Sequence, residues 1–309
     1  MALTRKRLLL AKAENTYGTS SAPAGADAML VSGLEVTPLQ VDLLDRDFIR
    51  PYLGNSPKVV KQRMVQVKFE VELAGSGAAG TAPKWGSILK ACGFAEATVA
   101  STSVTYSPVS SSFSSVTLDF NADGTKHLVT GARGTASFNV KTGEIPKVAF
   151  EMTGIYNAPT ATAAVTPTFD NQAAPVVVNS ANTTSVSILG YSACMESFTL
   201  DLKNETPFRQ LAGCTQQVMI TNRAPGGELV VEAPALGSKD FFAAVSAQTQ
   251  GSISWQHGQT AGNIVTFTAS TCNLDSPTYG DSDGIMTLNL PYMAQPTSAG
   301  NDEISLVLT

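Results

Sequence analysis

Alternation of apolar and polar residues dominates this 309-residue chain. "VQVKFEVEL" (Val65–Leu73), "SVTLDF" (Ser115–Phe120), "TASFNV" (Thr135–Val140) and "KVAFEMTGIY" (Lys147–Tyr156) each place apolar side chains at every second position. That period of two predicts half-buried strands, one face on a core and one face wet. Asp-Gly in "NADG" (Asn121–Gly124) supplies the positive φ that a tight hairpin turn needs. Two segments follow the helical period instead. In "APKWGSILKACGF" Pro83 suits a first turn, Trp85, Ile88, Leu89 and Cys92 form one stripe, and Gly93 ends the helix. "SKDFFAAVSAQT" reads as a second helix with Ser238 as its N-cap.

The order of these elements repeats. "LEVTPLQVDL", the loop "RDFIRPYLG" and "MVQVKFEVEL" are answered by "MESFTLDLK", the loop "ETPFRQLAG" and "GELVVEAP". Arg50 and Arg209 lie 159 positions apart, as do Gly54 and Gly213. Beyond the helices, "GSISW" aligns with "GTASF", "NIVTFTAS" with "KVAFEMTG", and "TSVSIL" with "EISLVL". Either a duplication or the monotony of β sequence accounts for this order. The duplication predicts a mainly β chain of two tandem β-sandwich or barrel domains, each with one flanking helix. Their spans would be 31–180 and 181–309, after an extended N-terminal arm, 1–30. The arm is Gly/Ser/Ala/Pro-rich and carries Arg5, Lys6, Arg7 and Lys12. It reads as a disordered tail or as a segment that orders against a neighbouring subunit.

Composition narrows the function. Hydrophobic residues make up 43%, enough for real cores, whereas only 15% are charged, against a usual ~25%. Such a weakly charged surface suits a protein that buries itself against its own copies. The net charge of −5 argues against a dedicated nucleic-acid binder. Cys92, Cys194, Cys214 and Cys272 are scattered without zinc-ligand spacing and read as free thiols. "LLLA" is too short for a secretory apolar core, and no run reaches the ~18 apolar residues of a membrane span.

Candidate chemistry is sparse. His127 and His257 read as surface histidines; no nucleophile elbow, P-loop or dinucleotide fingerprint occurs. "DSDG" (Asp281–Gly284) resembles a fragment of a calcium loop, but Tyr292 stands where the closing Glu belongs. Glu70 and Glu72 share the wet face of one strand. Trp85 and Trp255 read as core or interface anchors. The chain is therefore expected to be no enzyme and to need no cofactor.

"GARGTASFNVKTGEIPKVAFEMTGIYNAP" (Gly131–Pro159), "KRLLLAKAENTYGTSSAPAGADAMLV" and "DRDFIRPYLG" resemble the tail tube proteins of long-tailed bacteriophages, the siphophages. The second half keeps the order of elements but has "QHGQTAG" where "KTGEIP" would stand. The resemblance implies subunits whose sheets join into a continuous barrel around a channel. Rings stack into the conduit for DNA ejection, with sixfold symmetry common. Two domains per chain would then need three copies per ring, with a hexameric ring as the alternative. The implied partners are further copies, the tape-measure, tail terminator and tail-tip proteins, and viral DNA passing without specific binding, with no membrane. The setting is the virion tail, assembled in the host cytoplasm. Phe48, Ile49, Arg50, Tyr52 and Leu53, with Phe208, Arg209 and Leu211, are the expected subunit or ring interface. The two loops could instead cover their own sandwiches. A carbohydrate- or receptor-binding β-sandwich of a tail tip or fibre is the second reading. It predicts exposed aromatic clusters or a calcium site, and aromatics here are 7%.

Overall fold

A computed structural model describes residues 3–309. In the first half the strands are β1 (Arg7–Ala13), β2 (Ala28–Met29), β3 (Ser32–Asp45), β4 (Lys58–Glu72), β5 (Phe94–Val99), β6 (Ser103–Pro108), β7 (Val116–Ala122), β8 (Thr125–Lys141), β9 (Lys147–Tyr156) and β10 (Thr160–Ala161). In the second they are β11 (Thr183–Ile188), β12 (Tyr191–Ser192), β13 (Met195–Asp201), β14 (Phe208–Arg209), β15 (Gln217–Val218), β16 (Gly226–Glu232), β17 (Gly251–His257), β18 (Val265–Leu274), β19 (Thr278–Ser282), β20 (Ile285–Ala294) and β21 (Ser305–Leu308). Helix α1 (Gly86–Ala91) follows β4 and α2 (Phe241–Ser246) follows β16. The mainly β expectation holds.

The pairings of one half recur in the other. β1 lies on β7, β7 on β8, β8 on β9, β9 on β4 and β4 on β3, all antiparallel, while β10 covers the start of β8. Likewise β11 lies on β17, β17 on β18, β18 and β19 on β20, β20 on β16 and β16 on β13, while β21 covers the start of β18. β18 and β19 together hold the place of the long β8. The β5–β6 hairpin has no counterpart and pairs with β21.

This order corrects the element matching beyond the helices. "GSISW" is β17 and holds the place of β7, not β8. "NIVTFTAS" opens the β8 counterpart, and β20 is the counterpart of β9. "TSVSIL" lies in β11, the counterpart of β1, and "EISLVL" in β21, the counterpart of β10. Neighbouring strands of one half-buried hairpin share the same period-two pattern, so the pattern cannot tell them apart.

Residues 1–30 are not an extended arm where the structure describes them. Arg7–Ala13 forms seven register pairs with β7, and Leu9, Leu10 and Ala11 are buried. The "LLLA" run closes the chain's own sheet. Glu14 anchors its end: the carboxylate accepts from Gly18 N (2.8 Å), Ser115 Oγ (2.6 Å), Thr117 Oγ1 (2.8 Å) and Gly131 N (2.7 Å).

The halves are fused through their sheets. Residues 137–141 of β8 pair with residues 197–201 of β13, and β6 pairs with β21. The buried side chains form one cluster running from Leu9 to Leu308. In the second half Phe198 meets Trp255, Phe267 and Tyr292 at ring separations of 5.4, 4.9 and 5.9 Å, the range in which aromatic pairs attract. Trp85 is likewise a core anchor, its indole N–H donating to Ala74 O at 3.0 Å. Helix α1 buries the expected stripe, with Gly93 at φ +89° beyond its end. Helix α2 is capped by Asp240, whose carboxylate accepts from Ala243 N at 2.8 Å, and not by Ser238. The "NADG" and "DSDG" segments are matching hairpin turns: Asp123/Gly124 and Asp283/Gly284 all have positive φ, as a two-residue type I′ turn requires.

Candidate functional site

Where β3 and β4 outrun the rest of the sheet, the chain forms a two-stranded ribbon. β4 meets β9 only from Met64 onward, yet its pairing with β3 continues to Lys58↔Asp45. Both edges of the ribbon are therefore unpaired, and Leu39, Leu43, Leu44, Val59 and Val60 are exposed on it. At its tip, residues 46–57, Ile49 and Leu53 are 106% and 102% exposed, and Phe48 and Tyr52 are open as well. The guanidinium of Arg46 lies 4.6 Å from the Phe48 ring centre. That of Arg50 lies 5.7 Å from Phe48 and 6.0 Å from Tyr52. Such cation–π contacts hold the aromatic rings outward.

The corresponding loop of the second half, residues 202–225, folds back instead. β14 pairs with β15, and Glu205 bridges to Asn222. Phe208 is half-buried, whereas Arg209 and Leu211 are exposed. This loop reaches the first half of the chain. Val218 N donates to Tyr17 Oη at 2.6 Å, and Arg133 donates to Val218 O at 2.9 Å. Asn204 Nδ2 donates to Cys92 O and Gly134 O at 2.7 and 3.0 Å. Of the eight expected interface residues, the structure gathers Phe48, Ile49, Arg50, Tyr52 and Leu53 on the ribbon tip. Phe208, Arg209 and Leu211 sit on the neighbouring loop. A polar cleft of about 320 Å³ runs between ribbon and loop, lined by Lys61 and Arg63 on one side and Gln210 and Gln216 on the other.

The alternation that buries Val67, Phe69 and Val71 turns their neighbours to the opposite face. One cross-strand row there runs Glu72, Lys147, Asn139, Thr199 and Glu228, through five strands of both halves. Lys68–Glu151 and Lys147–Glu70 are ion pairs at 2.8 Å; the partner carboxylates raise both lysine pKa values. Glu35, Asp201 and Glu232 add further negative charge to this face.

Two features escaped the sequence reading. Arg133 sits at a register shift in β8 and donates to Ser114 O, Val218 O and Phe113 O at 3.0, 2.9 and 2.7 Å, with its guanidinium 4.6 Å from the Tyr17 ring centre. An arginine in an alternating strand carries no signal that it will bridge two halves. His257 is buried rather than a surface residue: Nδ1 meets Thr183 Oγ1 at 2.8 Å and Nε2 meets Val176 O at 3.1 Å. It fastens the segment between the halves to β17, and burial lowers its pKa. His127 is stacked on Phe120.

The chemistry these groups allow is limited. Burial pushes the Cys272 thiol to about 12 and raises Cys92 as well, so neither is a ready nucleophile. Among the described residues no three His, Cys, Asp or Glu side chains converge on a point that could hold a metal. No described helix is long and apolar enough to cross a membrane.

A protein-family profile described as phage tail tube protein matches residues 4–294. This chain belongs to the phage tail tube protein family. As a member it is a structural component of the virion tail, built to self-assemble into a tube and to associate with other tail proteins. The match spans both halves, including the diverged second one. No curated protein matches the chain.

Proposed function

We propose that three copies of this tail tube protein close into a pseudo-sixfold ring, that the two halves act as tandem tube domains, and that rings stack into the conduit for DNA ejection. The observation carrying this reading is the ribbon. Fully exposed Ile49 and Leu53 on a two-stranded projection are an aggregation hazard unless other chains cover them. A heterologous contact between unlike ends of the molecule propagates as a filament, and the ribbon tip then reaches an adjacent subunit or the next ring. The second loop lies on the first half of its own chain, and by the same relation the ribbon lies one domain round, on a neighbour.

In this arrangement the polar face becomes the channel wall. Tight DNA binding needs many Lys/Arg contacts to phosphate; here lysines are tied to carboxylates and acidic side chains prevail, so the polyanion slides. Rings assemble in the host cytoplasm, around a tape-measure protein, between tail-tip and terminator proteins. Negative-stain microscopy of the purified protein tests the reading. Tubes or discs with a central hole are expected; compact monomers at all concentrations would overturn it.

A further inference from the structure

The fused halves contain a template for the junction between chains. Inside the chain, the outer edge of β8 is closed by β13: Asn139 faces Thr199, Phe138 faces Leu200 and Ser137 faces Asp201. The counterpart of β8 here is β19, which among the described residues pairs with β20 on one side and with no strand on the other. The counterpart of β13 is β3, which among the described residues pairs with β4 alone. The chain thus closes one such junction internally and leaves both halves of a second one open.

The repeat also fixes the register. "FEVEL" (Phe69–Leu73) ends β4 as "LVVEA" (Leu229–Ala233) ends β16, which sets Val67 equivalent to Gly227. Val67 faces Val36 of β3, and Gly227 faces Leu200 of β13, so Val36 corresponds to Leu200. On the other side Glu72 faces Lys147 and Glu232 faces Thr287, so Val148 corresponds to Leu288. Val148 faces Phe138, and Leu288 faces Tyr279. Tyr279 therefore holds the place of Phe138.

Resting on the ring reading, we infer that β19 of one copy pairs antiparallel with β3 of the next, with Tyr279 opposite Val36, Gly280 opposite Glu35 and Thr278 opposite Thr37. Exposure agrees with the missing partner. Phe138, which has its Leu200, is 5% exposed; Tyr279, which lacks Val36, is 62% exposed although its ring already leans on Phe242 at 5.6 Å. The open edge of β3 is otherwise touched by Arg7, which donates to Leu34 O at 3.2 Å, just outside these three pairs.

Cysteine cross-linking tests the register. In a Cys194→Ser/Cys214→Ser background, Val36→Cys with Tyr279→Cys places two thiols directly opposite each other, within disulfide range. Val36→Cys with Asp281→Cys puts them on a diagonal of about 7–8 Å, beyond it. Oxidised assemblies of the first pair should yield covalent dimers and trimers, at least tenfold more than the second. Should the paired variant fail to assemble, hydrogen exchange on background assemblies decides: amides of residues 278–282 and 35–37 should be protected relative to free monomer. Tubes with neither cross-link nor protection overturn this pairing and leave the tube reading standing. A background protein that forms no ring at any concentration overturns both.

Discussion

Replacing Arg133 by alanine is expected to be costly, because one guanidinium ties three segments together. It donates to Phe113 O, Ser114 O and Val218 O and covers the Tyr17 ring. Hydrogen bonds to charged groups contribute about 1.5–3 kcal/mol each, and carbonyls stripped of a buried partner add a desolvation cost. The site is half-buried, so water would recover part of this; a net loss of about 3–5 kcal/mol results. For a chain of this size that lowers the melting temperature by roughly 5–8 °C. Arg133→Lys keeps a cation near Tyr17 but loses the planar fork, and should fall between. Tyr17→Phe removes the acceptor for Val218 N and should cost about 1–2 kcal/mol. The assay is urea unfolding followed by fluorescence of Trp85 and Trp255, one tryptophan in each half. A double-mutant cycle between Arg133→Ala and Tyr17→Phe should show coupling above about 0.5 kcal/mol. A loss under about 1 kcal/mol for Arg133→Ala, or strict additivity, would refute the clamp.

Tyr52→Ala with Leu53→Ala should leave the monomer's melting temperature within about 1–2 °C, since these side chains are open and surface changes stay within ±0.5 kcal/mol, while tube yield falls at least tenfold by microscopy; unfolding instead would place the loop in the core. Removing residues 1–25 is expected to abolish folding rather than weaken stacking, and Leu9→Ala alone should cost about 2–5 kcal/mol, because Leu9 is buried against β7; a soluble, normally melting truncation would contradict this. Burial holds His257 and His127 below the ordinary histidine pKa, so the unfolded chain takes up protons that the folded one refuses as pH drops below about 6.5. Stability should therefore fall from pH 7 toward pH 5, and His257→Gln should flatten that slope; a urea midpoint that rises on acidification would be the opposite of the expectation.

Much of the fold was readable because half-buried strands and tight turns carry local signals. "NADG", the "WGSILKAC" stripe and the four alternating strands each formed, although β7 is buried on both faces instead of having a wet one. The ribbon's tip was visible too: Phe48, Ile49, Tyr52 and Leu53 make the loop too apolar for a solvated hairpin, even with Arg46, Asp47 and Arg50 beside them, and so it asked for a partner. What stayed hidden was non-local. Which of two alternating strands matches which depends on pairing, and so β17 was matched to β8 instead of β7. The "LLLA" run looked like part of a tail because its partner, β7, lies about a hundred residues on. Phe208 and its neighbours matched the ribbon in sequence position, but their loop folds back and sets Val218 against Tyr17 and Arg133. The open edge of β19 is defined only by a strand that is absent beside it.

Electron cryomicroscopy of assembled tubes, with the symmetry of each ring determined directly, tests the central claim. The account predicts rings of three chains, six similar sheet segments around the channel and the Glu72–Glu228 face lining it. Rings of six chains, or a channel walled by the opposite face, would contradict it.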